Sequence, residues 1–96
     1  MSSPADLDPV IHSPKRLAAM AILSSSATTD FSYLKTHLGL SDSDLSKQMT
    51  ALRDAGYVSI YKSGHGRSGQ TRYAITTEGR EAYRAYRAHL QALLGE

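Results

Sequence analysis

The chain has 96 residues with 41% hydrophobic and 21% charged side chains, a balance too apolar for a disordered protein and sufficient for one modest core. It contains no cysteine, which excludes a disulfide framework, a thiolate metal site and a thiol nucleophile. Its longest apolar run, residues 17–23, falls far short of the roughly 20 needed to cross a membrane, and its acidic start (Asp6, Asp8) lacks the basic opening of a secretory signal, so a cytoplasmic chain with no membrane partner is expected.

The first dozen residues, with Pro4 and Pro9, read as an extended arm. Ser13-Pro14 is a helix start: serine suits the N-cap, and proline suits the first helical position because its missing N–H would go unpaired there anyway. The helix over 14–25 carries Leu17, Ala18, Met20, Ala21, Ile22 and Leu23 on more than one face, which in so small a chain points to burial against a second copy. Thr28-Thr29-Asp30 reads as a short extended stretch ending in an N-cap. Phe31, Leu34 and Leu38 then recur at helical spacing, and Gly39 supplies a left-handed C-cap. Ser41 opens another helix over 42–55, in which Asp42 and Asp44 favour the helix dipole while Leu45, Met49 and Leu52 repeat at i, i+4 and i+7. Two short helices about a glycine-containing turn form a helix-turn-helix.

After Gly56 the period changes to two. Val58 and Ile60 alternate with Ser59 and Tyr61, residues 64–69 form a glycine-rich loop, and Tyr73 and Ile75 share a face of a second strand, so the segment is a β-hairpin. Thr76 caps a last helix over 77–94, whose stripe of Tyr83, Tyr86, Leu90, Leu93 and Leu94 opposes Arg80, Arg84 and Arg87. The net charge of +2 is unevenly placed. Residues 1–56 hold five Lys/Arg against six Asp/Glu, whereas residues 57–96 hold six against three, and such asymmetry points to an anionic partner.

Helix, strand, helix, helix, strand, wing, strand, helix is the order of a winged helix-turn-helix, a mainly α fold with a small β-hairpin (α+β). In that fold the second helix of the turn enters the major groove and the hairpin reaches phosphates or the minor groove. With Leu45, Met49 and Leu52 inward, Ser43, Ser46, Lys47 and Thr50 face outward. Small hydroxyls permit close approach to base edges, and lysine bonds guanine or phosphate. The wing, residues 62–72, adds Lys62, His65, Arg67 and Arg72. Asp42 and Asp44 are assigned to capping and left out of the contact set. A solvated helix face also carries Ser, Thr and Lys, so the element order and the basic wing are what favour DNA.

Other chemistries find little support. Residues 64–69 spell G-x-G-x-x-G, but they lead into a strand rather than a helix, and the acid expected about 20 residues on is His89. The histidines (His12, His37, His65, His89) lack metal-ligand spacing, so no metal or other cofactor is assigned. No nucleophile elbow occurs, and no base is paired with an orienting acid, so no enzyme is read here.

The segments Val10-Ile11-His12-Ser13-Pro14-Lys15-Arg16-Leu17, Asp30-Phe31-Ser32-Tyr33-Leu34, Leu45-Ser46-Lys47-Gln48-Met49, Leu52-Arg53-Asp54-Ala55-Gly56-Tyr57-Val58 and Ile75-Thr76-Thr77-Glu78-Gly79-Arg80 resemble, as an ordered set, the compact winged-helix transcriptional regulators related to MarR and ArsR. The resemblance runs from about Asp8 to the last helix. It implies a homodimeric DNA-binding regulator, often a repressor, with dimer contacts from the terminal helices; in ArsR-like relatives the positions matching Asp42, Ser43, Ser46 and Lys47 contact DNA. Two features depart from the pattern. The cysteine metal sites of many ArsR-like sensors have no counterpart, and Gly69-Gln70 stands where a proline-arginine pair is common, which makes Arg67 the expected wing-tip contact.

The resulting expectation is an arm over 1–12 and a single winged-helix domain over 13–96. It would pair with itself through Leu17, Met20, Tyr86, Leu90, Leu93 and Leu94 and bind a palindromic double-stranded operator. A small-molecule effector could lodge between the helices near that interface, although no residue set demands one. The alternative is a winged-helix module that binds protein and not DNA.

Overall fold

A computed structural model describes residues 2–64 and 70–96. Its elements are α1 (Pro14–Ser24), β1 (Thr29–Asp30), α2 (Phe31–Leu38), α3 (Asp42–Asp54), β2 (Val58–Ser63), β3 (Gln70–Ile75) and α4 (Thr77–Leu93), preceded by a 3-10 turn over Pro4–Asp6. Three antiparallel strands lie in the order β1-β3-β2, so the fold is the expected α+β winged helix. Among the described residues no helix is long and apolar enough to cross a membrane.

Capping chemistry sets the helix boundaries. The Asp30 carboxylate accepts from the Tyr33 amide at 2.7 Å, Ser41 Oγ from Asp44 at 3.1 Å, and Thr76 Oγ1 from Gly79 at 2.9 Å, each satisfying an amide that the helix itself cannot pair. Gly39 closes α2 at φ +66°, its N–H donating to the Lys35 carbonyl. Ser13 stands at the N-cap of α1, as expected, but its hydroxyl makes no capping bond; proline at the first helical position defines that start.

The core is built from all layers. Ala19, Met20 and Leu23 of α1 meet Leu34 of α2, Leu45, Met49 and Leu52 of α3, Val58 and Tyr73 of the sheet and Tyr86 of α4. Thr76 fixes the start of α4 twice more, donating from its hydroxyl to the Gly56 carbonyl at 2.7 Å and from its backbone N–H to the Tyr57 carbonyl at 3.0 Å.

Residues 2–12, within the segment 1–12 expected to be an extended arm, are packed onto the domain instead. Ile11 is fully buried in the core, and Leu7 and Val10 pack against it, because Leu7, Val10 and Ile11 at i, i+3 and i+4 present one apolar face. Polar groups hold the segment down. Asp8 accepts from the Tyr57 hydroxyl, Arg16 Nε donates to the Val10 carbonyl at 2.6 Å, and His12 Nδ1 lies 2.8 Å from the Tyr86 hydroxyl.

The Asp8 contact has a pH signature. Accepting from Tyr57, Asp8 opposes loss of the phenolic proton, and together with partial burial it pushes that pKa up from 10.0 to about 12. The folded state therefore prefers the protonated phenol, a stabilisation complete below pH 10 and lost as pH rises toward 12. Urea melts should show the midpoint of the wild type falling more steeply over this window than that of Tyr57→Phe. Tyr73, also raised by burial, is present in both proteins and cancels. Equal falls would remove the Asp8 bond from the stability of the segment.

Candidate nucleic-acid interface

Helix α3 divides as its periodicity requires. Leu45, Met49 and Leu52 are fully buried, Ser43, Ser46 and Lys47 are exposed, and Thr50 is half-buried. Gln48 is also buried, which the apolar pattern did not reveal. Its Oε1 accepts from Arg16 Nη1 at 2.8 Å and its Nε2 donates to Asp44 Oδ1 at 2.9 Å. Lys15 reaches Asp44 at 2.5 Å, and the Lys15 and Gln48 bonds hold the Asp44 carboxyl below its usual pKa. A chain of polar contacts thus ties α1 to the first half of α3. The Asp44/Gln48 pair at i and i+4 was its one legible sign.

The two acids at the start of α3 are therefore engaged within the protomer. Asp44 pairs with Lys15 and Asp42 with Lys35 of α2 at 2.7 Å. Their charge is offset locally, which reduces the repulsion these carboxylates would exert on a nearby phosphate. Among the described residues neither Lys47 nor Lys62 belongs to an ion pair.

Strand register decides which wing residues join this surface. Ile60 pairs with Tyr73 and Lys62 with Thr71, whereas Tyr61 pairs with Arg72. Directly opposed residues share a face and alternate ones do not. Lys62 and Thr71 accordingly line a small groove of about 100 Å³ with Ser46, Thr50 and Arg53 of α3, floored by Phe31, Ile60 and Tyr73. Arg72 lies on the other face of the sheet, where its Nη2 is 3.4 Å from Thr28 Oγ1. It does not stand with the other expected contacts, for the same reason of alternation. Arg53, which was not among them, does; its place at i+3 from Thr50 and i+7 from Ser46 was the available signal. His65 and Arg67 lie outside the described residues.

The expected interface residues also separate. Met20 is fully buried and Tyr86 is 2% exposed within their own protomer, Tyr86 being held by His12. Both are consumed by the single-chain core and have no surface to offer a second copy. Leu17 and Leu90 are half-buried, while Leu93 and Leu94 are 39% and 62% exposed at the end of α4.

A sequence model of the family described as winged helix DNA-binding domain matches residues 15–94. The chain is 31% identical over 77 residues to an uncharacterized protein of Methanocaldococcus jannaschii, covering 80% of this chain and 84% of that one. It superposes on a transcriptional regulator homologue from Pyrococcus horikoshii with a TM-score of 0.82 and 26% identity, covering 90% of this chain and 85% of the other. Regulators of both the MarR and the ArsR families are among the solved structures that share the fold.

Proposed function

The chain belongs to the winged helix DNA-binding domain family, a family of transcription regulators and not of enzymes, and we propose that it acts as a homodimeric, sequence-specific repressor. In this reading Ser43, Ser46, Lys47 and Thr50 enter the major groove while Lys62 meets the adjoining backbone. His65 and Arg67 extend the contact from the wing tip. The observation that carries the reading is the groove in which Ser46, Thr50 and Arg53 of α3 meet Lys62 and Thr71 of the wing. It makes the helix and the hairpin one continuous surface of hydroxyl and cationic groups, which suits phosphate and base edges together.

Self-association is supported by the surface left open. Leu93 and Leu94, 39% and 62% exposed, leave apolar area open at the end of α4. A twofold pair would set two copies of α3 about 34 Å apart, one helical turn of DNA.

The test is selection of bound duplexes from a random pool, followed by affinity measurement across a salt series. A palindromic consensus is expected, with log affinity falling linearly with log salt at a slope of roughly −0.9 per phosphate neutralised. Failure to bind any duplex even at low salt would overturn the reading and leave a protein partner as the function of the same scaffold.

A further inference from the structure

A cleft of about 420 Å³ lies away from α3, between the C-terminal end of α1 and the outer side of α4. It is lined by Ser24, Arg80, Tyr83, Arg84, Arg87 and Gln91 together with Ala88. At 3.6 residues per turn, Arg80, Arg84, Arg87 and Gln91 fall within about 60° of one another around α4. Three guanidinium groups therefore stand on one stripe over two turns. Of the acids on the same helix, Glu78 sits about 160° round from Arg80 and Glu81 about 60° round from Arg84, its i, i+3 neighbour, and no carboxylate lines the cleft. Among the described residues none of the three arginines belongs to an ion pair.

This arrangement works against the helix. Like charges at i, i+3 and i, i+4 disfavour it, and Arg80 also sits close to the positive end of the helix dipole. The arginines are nonetheless partly ordered. Arg80 Nη1 donates to the Ser24 carbonyl at 2.9 Å, and the Arg87 guanidinium lies 6.0 Å from the Tyr83 ring centroid. Arg84, between these two anchored neighbours, has no hydrogen-bond partner among the described residues.

We propose that this cleft binds a small polyvalent oxyanion, a metabolite bearing phosphoryl or carboxylate groups, at a site separate from the DNA surface. Planar guanidinium forks match the paired oxygens of both groups. Three arginines lining one cleft whose walls hold no carboxylate select for more than one negative charge. The Gln91 amide offers a neutral donor at the far end, and the volume suits a small molecule. A bound oxyanion offsets the repulsion along α4 and bridges it to α1 through the Ser24-anchored Arg80.

The experiment is calorimetric titration of the full chain with sodium pyrophosphate and, separately, with sodium citrate at fixed ionic strength. Saturable binding of one ion per protomer is expected, with pyrophosphate the tighter if the site takes phosphoryl groups and citrate the tighter if it takes carboxylates. The Arg84→Gln/Arg87→Gln variant, both of whose changes are at exposed positions, should weaken it by roughly a hundredfold, about tenfold per charge-assisted donor lost. Its melting curve should stay cooperative, and Lys47→Ala should bind the ion as the wild type does. The proposal is overturned by absence of saturation below about 10 mM, by equal affinity in the double variant, or by equal weakening in Lys47→Ala. It is also overturned if the double variant lowers duplex affinity as Lys47→Ala does while neither ion binds, because the arginines would then be a DNA surface. Since ion binding is read without DNA, failure of the DNA reading leaves this result interpretable.

Discussion

Gly79→Ala is expected to destabilise the protein by about 3 kcal/mol or more, the range of severe overpacking, and to lower its melting temperature by roughly 15 °C. A Cβ at this position would stand 2.2 Å from the Tyr57 carbonyl oxygen and 3.0 Å from Ile75 Cγ1. The oxygen cannot simply retreat, because it accepts the Thr76 amide that begins α4. Relief requires either lifting the helix from the hairpin or breaking that bond. Gly39→Ala is the comparison: its site has open space around it and only a φ of +66° to lose, so a cost of about 1 kcal/mol is expected. Urea melts of the two variants against wild type decide the matter. A Gly79→Ala protein within about 1 kcal/mol of wild type would mean that α4 is not seated on Tyr57 as described.

The second large effect concerns the DNA reading. Lys47→Ala with Lys62→Ala should lower affinity for a selected duplex about a hundredfold, close to tenfold for each charged contact, and flatten the salt slope by about two phosphates. Arg72→Ala should change affinity less than about twofold, because Arg72 points from the opposite face of the wing sheet toward Thr28. Shift assays over a salt series, with circular dichroism confirming the fold of each variant, measure both. A large loss on Arg72→Ala with little on Lys62→Ala would reverse the proposed orientation of the wing on the duplex.

Much of the fold is legible in the chain because its cues are local. Asp30, Ser41 and Thr76 are side chains that can only help a helix by standing just before it, and Gly39 adopts a backbone conformation that other residues resist. The placing of Val58 and Ile60 on one face, and of Tyr73 and Ile75 on one face, likewise contains the separation of Lys62 from Arg72, since residues two apart share a face and adjacent ones do not. Grouping those two as contacts followed their charge where the strand period carried the better information. Gly79 stands in a stretch that already resembled a family pattern; its reason, the approach of α4 to the Tyr57 carbonyl, is a contact between segments 22 residues apart.

What only the tertiary structure decided are matters of competition between distant surfaces. Sequence periodicity shows that Met20 and Tyr86 are to be buried but not by what, and the protomer itself fills that role, partly with Ile11 from a segment that reads as a loose arm. The same holds for Gln48, whose burial is tolerable only because Arg16 and Asp44 arrive to satisfy it. The amino-acid order by itself determined the elements, their sequence and the placing of the excess positive charge after residue 56, since backbone caps and side-chain periods act within a few residues. Which apolar faces the chain keeps for itself, and which charges meet across it, depended on packing between segments far apart in the chain.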